Sequence, residues 1–221
     1  MSIELITNII VGVASLAGFL YGAYHILIRK KPLYLKMAVM ALACMLISCV
    51  YTIAQHLVKG YVPGGFHVGM LGLTGCFLFL FSANYGMIDG LADDGSAEFL
   101  KYRIISWIAP IVLVFGFFPV YLFGNYSFKR VIYLIIVLLI AFAAKYHFKH
   151  LIFPDVDYGV VRAIRGYNAI ALILCIATNV FLMSDIIGLE YLYLATGIVM
   201  AVCCIAIIPV LKKEATRWTT I

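Results

Sequence analysis

Seven polar side chains interrupt the apolar segments of a chain in which 65% of the residues are hydrophobic. Amides, imidazoles and carboxylates are unfavourable inside a bilayer, so their presence near membrane segments points to binding or transport. Tyr51 and Gln55 are four residues apart and therefore share one face of a helix. The residues that we predict to line one vestibule for a small molecule or an ion are Tyr51, Gln55, His56, His67, Asn179, Asp185 and Glu190.

The same residues allow two other interpretations. Histidines and carboxylates that end membrane helices can be solvated groups at the level of the lipid headgroups. His56, His67, Asp185 and Glu190 are also chemically suitable zinc ligands, but no two of them are one helical turn apart. We therefore predict neither a metal nor another cofactor.

Ser82, Tyr85 and Asp89 form a second polar group, because spacings of three and four residues place them on one helix face. We predict that they form an inner gate or a protonatable coupling site, where burial would raise the pKa of Asp89. The alternative is an interfacial Asp89 that pairs with Lys101 or Arg103.

Other chemistry has less support in the sequence. His25 and His147 each follow a tyrosine and are possible haem ligands. Both lie near Lys and Arg residues, so we predict that they are solvated histidines instead. The chain contains no Gly-x-Ser-x-Gly, His-Glu-x-x-His or phosphate-binding glycine motif, and we predict that it is not an enzyme. The cysteines all lie inside apolar segments and are predicted to pack as small hydrophobic side chains; they are Cys44, Cys49, Cys76, Cys175, Cys203 and Cys204.

The composition excludes a soluble protein. Only 12% of the residues are charged and the mean hydropathy is +1.09, whereas roughly 25% of the residues of a soluble domain are charged. The net charge of +6 does not indicate nucleic-acid binding, because the basic residues lie beside the ends of apolar segments. Membrane lipids with anionic headgroups are the predicted partners of these residues.

Seven apolar segments meet or approach the length of about 20 residues that a helix needs to cross a bilayer. They cover residues 4–28, 37–58, 66–88, 104–123, 128–146, 166–184 and 191–211. The fifth is the weakest, because only residues 131–144 lie between Arg130 and Lys145, whose side chains would have to extend to the interfaces. We predict an all-α integral membrane protein that forms a single seven-helix domain over residues 1–221.

The basic residues predict the orientation of the bundle. Of the 16 Lys and Arg residues, 13 fall in alternate gaps between the segments, and the other gaps contain only Lys59, Lys129 and Arg130. Because cytoplasmic loops retain positive charge, we expect the N-terminus outside and the C-terminus in the cytoplasm, in the plasma membrane. Trp107 and Tyr121 lie near the two predicted boundaries, where aromatic rings are common.

Loops and small residues complete the predicted architecture. Residues 145–165 form the longest predicted cytoplasmic loop and a possible docking surface for a cytoplasmic partner. Ser96 is a predicted helix N-cap. Three rows of small residues are predicted to pack against neighbouring helices, or, in the second row, to line a substrate path; the rows are Ala14, Gly18 and Gly22; Gly69, Gly72 and Gly75; and Ser82, Gly86 and Gly90.

The topology resembles those of rhodopsins, G-protein-coupled receptors and small sugar transporters, but the residues specific to these families are missing. Residues 191–211, for example, contain no Lys that could bind retinal. We predict a small-solute or ion transporter with a vestibule among helices 2, 3, 6 and 7, because polar groups occur at both ends and Pro110 and Pro119 would kink helix 4. The alternative is a ligand-sensing receptor or regulatory subunit that signals through a separate cytoplasmic partner.

Overall fold

The computed structural model describes residues 2–60, 66–124, 128–154 and 163–219, apart from the side chains of Met87, Leu91 and residues 217–219. Within these ranges, seven helices are long and apolar enough to cross a membrane, which confirms the predicted all-helical, multi-pass class. They are α1 (Ile3–Leu27), α2 (Leu33–Lys59), α3 (Val68–Gly86), α4 (Ala97–Phe123), α5 (Phe128–Ile152), α6 (Arg165–Ile187) and α7 (Glu190–Thr216).

Six of the helices form a ring. Helices α1, α2, α3, α5, α6 and α7 follow one another around it, and α7 packs against α1 to close it. Helix α4 lies outside the ring, against α5 and α6. It is the least buried of the seven spans, and Val112 and Phe115 are more than half exposed on its outer face. Helix α4 therefore presents the largest share of its surface to lipid.

Helix α5 is longer than the sequence predicts. It spans 25 residues and continues past the predicted end at residue 146 as far as Ile152. The extra turns are stabilised because Lys149 forms an ion pair with Asp89, which follows α3. Residues 145–152 of the predicted docking loop are therefore helical, and residues 155–162 of that loop lie outside the described residues.

The small residues pack differently in the three predicted rows. In α1, a Cβ atom on Gly18 would clash with the carbonyl oxygen of Cys204 in α7. In α3, a Cβ atom on Gly72 would lie 2.7 Å from the backbone nitrogen of Ser48 in α2. Gly86 and Gly90 have open space around the same position. The first two rows therefore bring helices into close contact, and the third does not.

Two helices contain a π-helical turn near the same end of the bundle, at Ala23–Leu27 in α1 and at Asn84–Asp89 after α3. A π-helical turn holds one residue more than an α-helical turn, so it rotates the residues that follow it relative to those before it. Asn84 and Asp89 both contact α5 as a result. Tyr85 between them is 54% exposed.

The close contact between α2 and α3 gives a direct test of the fold. We expect Gly72→Ala to lower the free energy of unfolding by about 1–3 kcal/mol, because the added methyl group overpacks a backbone contact. Gly116→Ala in α4 is the matched control, since nothing lies within 4 Å of the position of its Cβ atom. Thermal unfolding in detergent measures both variants. Equal melting temperatures would contradict the helix pairing described here.

Candidate functional site

The two ends of the bundle carry different polar groups. The hydroxyl of Ser2 before α1 lies 3.0 Å from Nε2 of His56 near the end of α2, so these two helix termini meet at one end. We call it the N-terminal end. The carboxylate of Asp89 after α3 lies 2.6 Å from Nζ of Lys149 near the end of α5, at what we call the C-terminal end.

A cavity of about 60 Å³ lies at the N-terminal end between all six ring helices. Its polar lining consists mainly of Glu4, Asn8, His67, Lys129, Tyr133 and Asp185. Met45 and Met200, near the middle of α2 and α7, extend the lining into the bundle. A wider cleft of about 220 Å³ shares Glu4, Asp185 and Tyr193 with this cavity. We call the two spaces together the N-terminal cavity.

Asp185 of α6 is the most highly partnered group in the N-terminal cavity. Its Oδ2 atom lies 2.6 Å from Nζ of Lys129 and accepts a hydrogen bond of 2.5 Å from the Tyr133 hydroxyl. Lys129 and Tyr133 are four residues apart on α5, so one face of α5 supplies both partners. The side chains of Asp185 and Lys129 are only 17% and 18% exposed. The ion pair therefore joins α5 to α6 in a largely desolvated position.

Helix α1 contributes a carboxylate without such partners. Asn8 donates a hydrogen bond of 2.9 Å to the backbone carbonyl of Glu4 and another of 3.1 Å to the hydroxyl of Tyr193 in α7. Within the described part of the chain, no ion pair engages the Glu4 carboxylate. Glu4 is thus the carboxylate of the smaller cavity that has no ion pair among the described residues.

His67, immediately before α3, adds a neutral imidazole. Its ring stacks on Tyr51 with a centroid distance of 5.9 Å and an interplanar angle of 7°. Burial lowers the pKa of His67, the positive charge of Lys129 lowers it further, and Asp185 opposes both effects. The Nδ1 atom is buried and has no hydrogen-bond partner among the described residues. A neutral ring of this kind offers a hydrogen-bond acceptor to a ligand.

The other predicted vestibule residues lie around the N-terminal cavity or away from it. Gln55 donates a hydrogen bond of 2.9 Å to the Tyr51 hydroxyl, and His56 lies beside Ser2. Glu190 is exposed and lines only the wider cleft. The structure therefore brings His67 and Asp185 together and leaves Tyr51, Gln55 and His56 on the last turns of α2.

Asn179 has a different position, because it faces α4 rather than the ring interior. Its side-chain amide donates a hydrogen bond of 3.1 Å to the carbonyl oxygen of Leu113. Thr178, Leu182 and Asp185 follow one another at helical spacing, and Leu182 and Asp185 line the cavity. Asn179 lies on the neighbouring face of α6 and connects α6 to the outer helix.

Sequence reasoning missed five residues of this site: Glu4, Asn8, Lys129, Tyr133 and Tyr193. One signal for Lys129 was present, because it is one of three basic residues on the side that we predicted to be outside, where such residues are disfavoured. A cation in that position needs a partner, and Lys129 has Asp185. The adjacent Arg130 likewise donates a hydrogen bond of 2.6 Å to the carbonyl oxygen of Tyr121.

A charged network joins α3, α4 and α5 at the C-terminal end. Lys149 lies 2.6 Å from carboxylate oxygens of both Asp89 and Asp93. Arg103 of α4 forms an ion pair of 2.5 Å with Asp93, and His150 lies 3.1 Å from Asp89. Asp89 therefore pairs with residues of α5, and Arg103 binds Asp93 instead. We call these five residues the C-terminal network.

The pKa values of both aspartates are lowered. For Asp89, burial favours the neutral form, but hydrogen bonds from His150 and Lys149 outweigh burial and lower the pKa. For Asp93, the hydrogen bond from Arg103 is the main cause, and burial opposes it. Asp89 is consequently ionised at neutral pH, which differs from the raised pKa that we predicted for a buried coupling site.

The π-helical turn includes Tyr85 and ends at Asp89, and Ser82 precedes it. Tyr85 is exposed, and its ring stacks on Phe81 with a centroid distance of 5.3 Å. Ser82 is half-buried and lies before the turn. The structure therefore does not gather Ser82, Tyr85 and Asp89 on one face.

The two histidines preceded by tyrosines also differ. His25 is half-buried and its ring lies 4.5 Å from that of Tyr21. His147 is fully buried, in contact with Asn84 and Asn168, and is not the solvated residue that the sequence suggested.

No protein-family model, no curated protein and no solved structure matches the chain. No relative therefore supplies a substrate or a partner, and the functional argument rests on the geometry of the two ends.

The lowered pKa values at the C-terminal end predict an acid-sensitive contribution to stability. Because the folded-state pKa values lie below the ordinary value of 3.8, the contribution is complete above that value and is lost as the pH falls through the folded-state pKa. We expect the melting temperature of the wild type to fall as the pH drops below about 3.8. Asp93→Asn should have a lower melting temperature at neutral pH and a flatter acid dependence, as pH-resolved thermal unfolding would show.

The control for this prediction is Asp94→Asn. Asp94 is exposed and accepts a hydrogen bond from the backbone of Ser96. It takes no part in the ion pairs of the network. If Asp93→Asn and Asp94→Asn had the same acid dependence, the role given to the network would be wrong.

Proposed function

We propose that this multi-pass membrane protein transports a small solute that carries a positive charge, and that the N-terminal cavity is its binding site. The observation that supports this proposal is the Glu4 carboxylate, which lines the cavity beside an ion pair that is already complete. The predicted orientation, with the N-terminus outside, would make this the site of uptake from the exterior.

The charges in the N-terminal cavity favour a cation. Lys129 and Asp185 neutralise each other, and His67 is neutral, so the ionised form of Glu4 leaves one negative charge in the smaller cavity. At an effective dielectric constant of 20, a cation about 4 Å from this carboxylate gains roughly 4 kcal/mol of Coulomb energy before desolvation is subtracted. An anion would be repelled by a comparable amount.

The polar atoms around Glu4 favour a cation that can donate hydrogen bonds. Nδ1 of His67 lacks a partner, and the hydroxyl of Tyr193 lies beside Asn8 in the same lining. A primary or secondary ammonium group has the donors that these acceptors require. The cavity of about 60 Å³ holds only a small group, since roughly 300–1,000 Å³ is typical for drug-sized ligands.

The difference between the two ends supports transport rather than binding alone. The N-terminal cavity reaches Met45 and Met200 near the middle of the bundle. The C-terminal end is held closed by the ion pairs of Lys149 and Arg103. A site that opens to one side and is sealed on the other is what alternating access requires.

The alternative, a sensor that signals through residues 145–165, has less support. Residues 145–152 are helical, and Lys149 and His150 are buried within the C-terminal network. These two residues are therefore not available to a cytoplasmic partner in this conformation. A partner for residues 155–162, which lie outside the described residues, stays a prediction.

Binding and flux can be measured with simple probes. Methylammonium should stabilise the purified protein against heat, because a ligand that binds only the folded state raises its stability, and acetate should not. Glu4→Gln should weaken methylammonium binding at least about tenfold, which corresponds to about 1.4 kcal/mol. Glu98→Gln, which changes an exposed carboxylate at the start of α4 that lines neither space, is the control and should bind nearly as the wild type does.

Transport can be measured as a current from proteoliposomes on a solid-supported membrane. A methylammonium gradient should produce a current with the wild type and a much smaller one with Glu4→Gln. Binding without current would favour the sensor. Equal stabilisation by methylammonium and acetate would contradict the proposed cation site.

A further inference from the structure

A fully buried polar cluster joins three helices of the ring near the C-terminal end. Asn84 at the end of α3, His147 of α5 and Asn168 of α6 are each 0% exposed. Nδ2 of Asn84 lies 2.7 Å from Nδ1 of His147 and 2.8 Å from Oδ1 of Asn168. Nδ1 of His147 lies 2.9 Å from Oδ1 of Asn168. We call these three residues the buried triad.

The buried triad provides a partner for Nδ1 of His147 in either protonation state. A bare ring nitrogen accepts a hydrogen bond, and a protonated one donates. When Nδ1 is bare, Nδ2 of Asn84 can donate to it; when Nδ1 carries a proton, Oδ1 of Asn168 can accept from it. The second side-chain bond of Asn168, from Nδ2 to the carbonyl of Ile164, fixes the direction of its amide. Nδ1 of His147 therefore keeps a hydrogen-bond partner in both neutral tautomers and in the imidazolium form.

Several atoms of this region are buried without a hydrogen-bond partner among the described residues. They include Nε2 of His147, Oδ1 of Asn84 and Nδ1 of His150. Leaving a buried polar atom unpaired destabilises a protein. Unpaired atoms in a buried site call for an explanation, of which a functional role is one. Nε2 of His147 is the ring atom available to bind a further proton.

Titratable residues lead from the buried triad to the C-terminal end. His150 is three residues after His147 on α5, on the same face of the helix, and is also 0% exposed. Its Nε2 atom lies 3.1 Å from Oδ1 of Asp89. Asp89 is joined through Lys149 to Asp93, and Asp93 to Arg103, whose side chain is 26% exposed.

The titratable and charged groups of this region come from four elements or their connections. Asp89 follows α3, Asp93 lies between α3 and α4, Arg103 belongs to α4, Lys149 and His150 belong to α5, and the Tyr167 ring of α6 lies edge-on to His147 at 5.5 Å. The two aspartates balance Lys149 and Arg103, so the network has no net charge while His150 is neutral. A proton on His147 would therefore add one positive charge and distinguish the protonated state of this region from the neutral one.

We propose that His147 is an internal proton-binding site, loaded from the C-terminal end through His150. In this step a neutral His147, with Nδ1–H bonded to Oδ1 of Asn168, takes one proton on Nε2 and becomes an imidazolium; the proton comes from the aqueous phase beyond Asp89, where its conjugate base remains. The proposal goes beyond the cation site at the N-terminal end and does not depend on it.

The test is nitrogen NMR of the full chain in lipid nanodiscs, with ¹⁵N-labelled histidine. The five histidines are assigned by losing one signal at a time in His25→Gln, His56→Gln, His67→Gln and His150→Gln, so that His147 is identified even if its own variant does not fold. As the pH is lowered from about 8 to about 4, below the ordinary histidine pKa of about 6.5, Nε2 of His147 should shift from the range of a bare nitrogen towards that of a protonated one.

The loading route has its own readout in the same spectra. His150→Gln should slow proton exchange at His147 by about tenfold or more, which corresponds to at least about 1.4 kcal/mol of added barrier. His25→Gln, which changes a histidine at the same end but outside the cluster, should leave the rate unchanged. A His147 ring that keeps one neutral form down to about pH 4, or an exchange rate that His150→Gln does not alter, would overturn the proposal.

Discussion

Helix α5 carries polar residues that a membrane helix can hold only if other helices supply their partners. A bilayer offers no water to an ammonium or imidazole group, so each such group must find a partner within the protein. Lys129 and Tyr133 find Asp185 on α6. Lys149 finds Asp89 and Asp93, and His147 finds Asn84 and Asn168. The position of α5 between α3 and α6 follows from these requirements.

This constraint also explains the difference between the two ends. At the C-terminal end, the five residues of the C-terminal network are engaged with one another, which holds α3, α4 and α5 together. At the N-terminal end, Lys129 and Asp185 satisfy each other and leave Glu4 beside a cavity. The ion pairs therefore stabilise the charges within the bundle. They also determine that Asp185 is paired and that Glu4 is not.

The helices could be predicted from the sequence, and the partners of their polar residues could not. Apolar stretches of about 20 residues are a local signal, and they gave all seven spans. The contacts of Asp185 with Tyr133 and of Asp89 with Lys149 join residues 52 and 60 positions apart, and no periodicity in the sequence encodes such pairs. The end of α5 was misplaced for the same reason, since its last turns depend on Asp89. The π-helical turn at Asn84–Asp89 changed which residues of α3 share a face, and helical spacing alone does not reveal such a turn.

The most direct test of this account is a double-mutant cycle on the ion pair between α5 and α6. Lys129→Gln and Asp185→Asn should each lower the free energy of unfolding by about 1–3 kcal/mol, less than the 3–5 kcal/mol of a fully buried pair, because both side chains remain partly exposed. The double variant should recover part of the loss, so that the coupling energy is at least about 1 kcal/mol. Single effects that simply add in the double variant would contradict the claim that this pair positions α5.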